Sequence, residues 1–418
     1  VTDTVLFLPC AAGVEPLLAD EVQRITALDE RDIETLRGGV RVHGDLRTAM
    51  QLNLHSRLAQ RVLLELVWGP YHDEHDLYDL ARSVPWADWI TPRQTLRVDS
   101  TAQRSPLRSL NFANLRIKDA VCDVMRERTG ERPSVDTRHP ELPLVLHLGP
   151  EQALLYVDLS GEALFKRGWR EVQGEAPLKE TLAAAMLAAA GWQGRESDAP
   201  LLDPCCGAGT IAIEAAQLAC GIAPGLQRRF AFERLGVFRG QLGAWRELQQ
   251  AARAAVHAPR TQVFAGDVAF RMTDFAARNA ERAGVAQAIQ FKTADALQRP
   301  APVEAGVLML NPPYGERLAP KGHGQAPAAA RESFEGGGSS VEFFSGLAAH
   351  WKRNYAGWTA WVLTPDMKLP SLMRLKESRR VPMWNGPIEC RLFRFDLVAG
   401  SARRDASATP ASDENPGS

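Results

Sequence analysis

Leu201-Leu202-Asp203-Pro204-Cys205-Cys206-Gly207-Ala208-Gly209-Thr210, continued by Ile211-Ala212-Ile213-Glu214-Ala215-Ala216, reads as a short strand, a glycine-bearing turn and a helix. The strand ends on an acid, the glycines let backbone approach a ligand, and the helix start offers N–H groups with no partner inside the helix. It is not a dinucleotide loop, because Ala212 stands where the third glycine would be, and the chain has no Gly-Lys-Thr or Gly-Lys-Ser phosphate loop. Cys205 and Cys206 lie in the turn itself and read as small turn residues, not as a nucleophile on a catalytic loop.

Outward from this turn, strands and helices alternate. Strands are expected at 200–203, 262–265, 289–293, 307–310, 359–363 and 391–398. A helix at 178–190 precedes the first of them, entered through Pro177 and closed by Gly191. The alternation predicts an α/β domain over 175–398 with a mostly parallel sheet covered on both faces. An insert at 221–260 carries its own helix at 242–256. The Gly-, Ala- and Pro-rich stretch 319–340 is expected to be mobile, and the polar tail 400–418 to be disordered.

Ahead of this domain, a strand at 5–8, a helix at 15–25, a strand at 39–42 and a helix at 46–54 make a small α+β unit over 1–65. A second mixed unit over 66–170 has expected strands at 95–98, 145–148 and 154–159, and a helix at 114–128 that Gly130 stops.

Composition narrows the class. With 418 residues, 45% hydrophobic and 24% charged, the chain has room for more than one core and no apolar run of membrane-spanning length. Val5-Leu6-Phe7-Leu8 is too short for a signal peptide, so a cytoplasmic protein is expected. The six cysteines show neither a CxxC pair nor zinc-ligand spacing, so no metal is expected. A net charge of −1 gives no overall basic signature. Basic residues do cluster, however, between Arg104 and Arg138 and between Arg374 and Arg394. Such clusters either hold phosphates or are ordinary solvated faces.

The acid-plus-Gly-x-Gly turn resembles motif I of class I S-adenosylmethionine methyltransferases. On that resemblance Asp203, Cys205, Gly207, Ala208, Gly209 and Thr210 line the cofactor. Asp267, after Val263-Phe264-Ala265-Gly266, stands where that fold places the acid that accepts the ribose hydroxyls, and Asp295 stands where it holds the adenine amino group. Lys179 opens the helix that lies beside the methionine end. Read alone, Asp267 and Asp295 could each be a loop acid capping the next helix.

Val307-Leu308-Met309-Leu310 runs into Asn311-Pro312-Pro313-Tyr314, which resembles the (Asp/Asn/Ser)-Pro-Pro-aromatic loop of amino-group methyltransferases. Taken by itself it is also a common turn after a strand. Its chemistry suits an exocyclic base amine, whose lone pair is delocalised into the ring. If the Asn311 side-chain oxygen and the Pro312 carbonyl accept the two amine protons, the lone pair turns towards the methyl donor. Pro312 and Pro313 stiffen the loop, and Tyr314 offers a face on which an extruded base can stack. The motif does not separate guanine-N2, adenine-N6 and cytosine-N4.

Leu115-Arg116-Ile117-Lys118-Asp119-Ala120, Arg132-Pro133-Ser134-Val135-Asp136, and Val157 through Lys166-Arg167-Gly168-Trp169-Arg170 resemble the THUMP-domain methyltransferases, in particular the RlmL-like ribosomal RNA guanine-N2 methyltransferase family. Asn311 to Leu318 and Asn385-Gly386-Pro387-Ile388-Glu389-Cys390-Arg391 fit the same family. The chain departs from it at Phe165 and Trp169, where the family often has His and Tyr, and at Ala269, where it often has a second acid. The resemblance implies a ferredoxin-like unit and a THUMP RNA-binding domain joined to a seven-stranded catalytic domain. It further implies S-adenosylmethionine as cofactor and 23S rRNA as partner. A tRNA guanine-N2 methyltransferase and a non-catalytic RNA-binding or ribosome-assembly factor stay open as alternatives.

Overall fold

The computed structural model describes residues 4–171, 178–312 and 340–398. Pro313, Tyr314, all of the 319–340 stretch but its last residue, and the 400–418 tail lie outside the described residues.

The N-terminal region runs β1 (Thr4–Pro9), α1 (Glu15–Thr26), β2 (Ile33–Leu36), β3 (Gly39–Gly44), α2 (Leu46–His55) and β4 (Leu63–Pro70). It continues with α3 (Glu74–Arg82), α4 (Trp86–Trp89), β5 (Thr95–Ala102), α5 (Leu110–Thr129), β6 (Ser134–Val135), β7 (Leu142–Leu148) and β8 (Gln152–Asp158). Local signals set the helix ends. The Asp45 carboxylate accepts from Thr48 N at 2.8 Å at the start of α2, and Gly130, at φ +82°, closes α5 in the left-handed conformation that glycine adopts freely.

All eight strands form one sheet, in the order β2-β3-β1-β4-β8-β7-β5-β6. The two N-terminal units expected from the pattern therefore share a sheet, with β4 as the seam: it pairs antiparallel with β1 (Leu6 opposite Leu64) and with β8 (Leu64 opposite Val157). β4 is not among the strands that the pattern predicts. A register irregularity between Glu65 and Val67 breaks its two-residue alternation.

The C-terminal region runs α6 (Glu180–Ala189), β9 (Leu201–Asp203), α7 (Thr210–Ala219), α8 (Leu242–Ala254), β10 (Val263–Asp267), α9 (Phe270–Arg282) and β11 (Ile289–Thr293). β12 (Val307–Leu310), α10 (Ser340–Asn354), β13 (Thr359–Thr364), α11 (Leu369–Met373), β14 (Glu377–Asn385) and β15 (Ile388–Asp396) follow. Its seven strands lie in the order β11-β10-β9-β12-β13-β15-β14, the first five parallel and β15 antiparallel to both neighbours. The mostly parallel seven-stranded sheet is thus as expected, with β14 as the strand that the pattern does not reveal. Pro382 and a run of exposed charged positions hide its periodicity.

Apolar packing joins the two regions. Alanines and Met186 of α6, buried residues of α7 and the α1–α2 face of the N-terminal region belong to one continuous core. On the other face of the second sheet, Trp351, Tyr355, Trp358, Phe393 and Phe395 build a separate core. A polar joint reinforces the first: Glu214 of α7, fully buried, takes Arg57 Nη1 at 3.1 Å and Arg167 Nε at 3.0 Å, while Arg167 Nη2 donates to the Arg57 carbonyl at 2.8 Å. The first arginine comes from the N-terminal region and the second from the segment that follows β8.

Candidate functional site

In the second sheet the chain leaves β9 to one side for β10 and β11 and later returns on the other side as β12 and β13. Such a reversal opens a crevice beyond the carboxyl ends of the central strands, where ligands bind in open α/β sheets. The strand ends at this crevice carry Asp203 (β9), Asp267 (β10) and, just past β12, Asn311 and Pro312. Asp295 follows β11 on the same edge. These five positions singled out from the sequence therefore converge on one rim.

The turn after β9 is held from both sides. Asp203 Oδ1 accepts from Cys205 N at 3.1 Å, Cys206 N donates to the Gly266 carbonyl at 2.8 Å, and Gly207 N donates to Asp267 Oδ2 at 3.1 Å. Asn279 of α9, fully buried, donates to the Ala208 carbonyl at 3.0 Å. Gly207 and Gly209 take φ of +50° and +85°, and no atom lies within 4 Å of the point where a Gly207 side chain would begin. Backbone and open space thus face each other across the crevice, as close approach of a ligand requires.

Burial dominates the electrostatics. It pushes the Asp203 carboxyl up to about 8, with the nearby Asp267 charge adding to the rise and the Cys205 N–H opposing it. Burial, followed by the neighbouring carboxylates, also drives the Cys205 and Cys206 thiols well above their ordinary range, which leaves neither as a thiolate nucleophile. Asp267 Oδ1 accepts from Ala269 N at 3.0 Å and Asp295 Oδ1 from Leu297 N at 2.9 Å, so each acid also caps its own turn. The capping bonds leave room for a ligand, because a carboxylate has acceptor capacity to spare.

Several neighbours escape the sequence pattern. Arg299, almost fully buried, donates from Nη1 to the Ala265 carbonyl at 3.0 Å, and a side chain on Gly266 would run into its guanidinium. Val268 and Phe270 stand 59% and 75% exposed beside Asp267, an apolar lip with no role in the core. Arg170 bonds both Glu180 and Thr210. Their only sequence signal is adjacency to the motifs.

Lys179, at the entrance to α6, holds its Nζ 5.1 Å from the centre of the Phe165 ring. It lines a cleft of about 1120 Å3 between the two regions. The four glutamates of that cleft are engaged: Glu141 with Thr95 N at 2.8 Å, Glu162 with Lys166 at 2.9 Å, Glu171 with Arg282 at 3.0 Å and Glu180 with Arg170 at 2.8 Å. Arg138, Lys179 and Arg234 line it too and form no salt bridge with a described residue, which leaves the cleft an excess of positive charge. Both basic stretches seen in the sequence are partly neutralised, the first by Arg116 and Lys118 with Asp119 and by Arg126 with Asp123, the second by Arg380–Glu377, Arg391–Glu389 and Arg394–Asp396 pairs. Arg234 comes from the insert instead.

Comparison with known proteins agrees with this architecture. Residues 5–63 match the RlmL ferredoxin-like domain, 71–158 the THUMP domain and 167–327 the RMKL-like methyltransferase domain. The chain is 36% identical over 398 residues to the ribosomal RNA large subunit methyltransferase K/L of Psychromonas ingrahamii, covering 94% of this chain and 50% of that protein. The chain spans about half the length of the curated relatives it matches. Among solved structures, a possible methylase from Clostridium difficile 630 superposes with a TM-score of 0.81 at 24% identity, covering 99% of this chain and all of that one. SMU.472 in complex with SAH superposes with a TM-score of 0.80 at 25% identity, covering 95% of this chain and 99% of that one.

Proposed function

The chain belongs to the THUMP-domain methyltransferases, with an RlmL-type ferredoxin-like domain before its THUMP domain and an RMKL-like methyltransferase domain after it, and from that premise we propose that it forms N2-methylguanosine in 23S rRNA using S-adenosylmethionine. The observation that carries the reading is the placement of Asn311 and Pro312 just past the end of β12, the strand next to the one that ends in Asp203, at the switch-point crevice.

The residues present fit the cofactor. Gly207 leaves open space along the turn, the Asp267 carboxylate stands at the end of the neighbouring strand with acceptor capacity for a diol, and Val268 and Phe270 offer apolar surface for a flat ring. When bound, S-adenosylmethionine supplies a methyl group on a positively charged sulfur. The chain's own part is to orient the acceptor. Asn311 Oδ1 and the Pro312 carbonyl accept the protons of the guanine 2-amino group, which turns its lone pair towards the crevice and stabilises positive charge developing on nitrogen. Tyr314 then stacks on the extruded base. No strong base is needed in the transfer, because the nitrogen, positively charged once it carries the extra methyl, is acidic enough to release one proton to water.

The positive cleft reaches the end of the cofactor turn through Arg170, which lines it and bonds Thr210, and it suits the phosphates of an RNA strand. Six free cysteines suit a reducing compartment, in keeping with a cytoplasmic enzyme, and no helix among the described residues is long and apolar enough to cross a membrane. The division into 1–65, 66–170 and 175–398 belongs to the same proposal. Incubation with labelled S-adenosylmethionine and separate 23S rRNA, 16S rRNA and tRNA pools tests it: label is expected in 23S rRNA, and label confined to tRNA would replace this reading by that of a tRNA methyltransferase.

A further inference from the structure

Arg170 occupies an unusual position. Its guanidinium bridges the first residues of two helices, donating from Nε to Glu180 Oε1 of α6 at 2.8 Å and from Nη2 to Thr210 Oγ1 of α7 at 2.6 Å. The Arg170 and Glu180 side chains are 9% and 4% exposed, and the Trp169 ring lies 5.0 Å from the guanidinium carbon. Arg170 Nη1 is buried with no hydrogen-bond partner among the described residues. Native proteins rarely leave a buried charged donor unmet, so the nitrogen calls for an acceptor that arrives with a ligand.

The surroundings say which kind of ligand. Thr210 follows Gly207-Ala208-Gly209 directly, and α7, ten residues long, starts there with amides that have no partner within the helix. Two independent features, a helix start and a guanidinium with one unmet nitrogen, therefore meet at Thr210, at the end of the cofactor turn. The Arg170–Glu180 pair is neutral as a unit. A phosphate or a simple carboxylate would add an unbalanced buried charge, whereas an α-amino acid brings one carboxylate and one ammonium.

We infer that Arg170 and Glu180 read the amino-acid tail of S-adenosylmethionine, the guanidinium Nη1 donating to the α-carboxylate and the Glu180 carboxylate accepting from the α-ammonium. The inference rests on the cofactor reading above. Arg170 is then a binding residue supplied by the segment that joins the RNA-binding region to the methyltransferase domain. Three residues away on that segment, Arg167 is locked to Glu214 of the same helix α7, which fixes the backbone from which Arg170 reaches in.

Calorimetry with three ligands tests this without turnover: S-adenosylhomocysteine, its decarboxylated analogue, and 5′-deoxy-5′-methylthioadenosine, which lacks the tail altogether. For the wild-type chain, loss of the carboxylate alone is expected to weaken binding roughly 10- to 100-fold, the range of one hydrogen bond to a charged group. Arg170→Met should lose S-adenosylhomocysteine affinity by a similar factor and leave methylthioadenosine affinity within about twofold. Glu180→Gln should erode the same preference. A merely structural role would lower both ligands together, and that result would overturn the assignment, as would equal wild-type affinity for S-adenosylhomocysteine and its decarboxylated analogue. The wild-type comparison stands even if Arg170→Met does not fold. Failure of the wild-type chain to bind S-adenosylhomocysteine at all would instead remove the cofactor reading on which the inference rests.

Discussion

Arg167 and Glu214 meet through two hydrogen bonds, Nε to Oε1 at 3.0 Å and Nη2 to Oε2 at 3.3 Å, with both side chains almost wholly out of water. Arg57 adds a second guanidinium to the same carboxylate. Taking away one member of a buried ion pair leaves the others charged and unmet, which costs about 3–5 kcal/mol. Glu214→Gln is therefore expected to lower the urea midpoint sharply, because two arginines lose their counter-charge. A loss below about 1 kcal/mol would show that the joint is not a main tie between the regions.

Asp203 links pH to stability. Its folded-state carboxyl titrates at about 8, against an ordinary value of 3.8. Between those values the folded state holds a proton that the unfolded chain has released, so this group makes stability fall as pH rises through that window and level off above it. With no ligand bound, the difference in melting temperature between Asp203→Asn and the wild type should widen in favour of the variant from pH 5 to pH 8. A constant difference would mean that Asp203 is ionised throughout.

Gly207 separates folding from binding. A side chain there meets no protein atom within 4 Å, so Gly207→Ala bears only the left-handed backbone cost of about 1–2 kcal/mol. The added methyl points into space that the cofactor is expected to use. That backbone cost falls on folding stability, whereas S-adenosylhomocysteine affinity should drop at least tenfold while the fold persists. Unchanged affinity would move the cofactor away from the turn.

The cleft makes an electrostatic prediction. Arg138→Ala together with Arg234→Ala should weaken RNA binding and reduce the slope of log affinity against log salt by roughly 0.7 for each single-strand phosphate that the variant no longer neutralises. S-adenosylhomocysteine binding should not change. Arg104→Ala with Arg108→Ala, two exposed cations of the sequence's first basic stretch, serve as the competing surface. A slope that responds to that pair and not to the first would move the RNA to the other surface.

The motifs are legible in the sequence because the chemistry fixes them to strand ends. Asp203, Asp267, Asp295 and Asn311 each follow an apolar run, and a parallel sheet brings such positions to one edge whatever the intervening sequence. Strand β4 is not legible, because its bulge disrupts the alternation, nor is β14, an edge strand in which Pro382 and arginines replace apolar positions. Arg170 and Arg299 are invisible for a different reason. Their roles depend on bonds to Thr210 and Ala265, forty and thirty-four residues away, and no local pattern reports a guanidinium's distant partner. The shared N-terminal sheet is likewise hidden, since only the pairing of β4 with β1 and β8 joins the two units.

The most direct test of methyl transfer to a guanine amino group is nucleoside mass spectrometry of 23S rRNA treated with the wild-type chain or with Asn311→Ala. N2-methylguanosine is expected from the wild type, and a yield lower by roughly 10²- to 10³-fold is expected from the variant, with S-adenosylhomocysteine affinity nearly unchanged. Formation of 6-methyladenosine in place of N2-methylguanosine, or undiminished product from Asn311→Ala, would contradict the account.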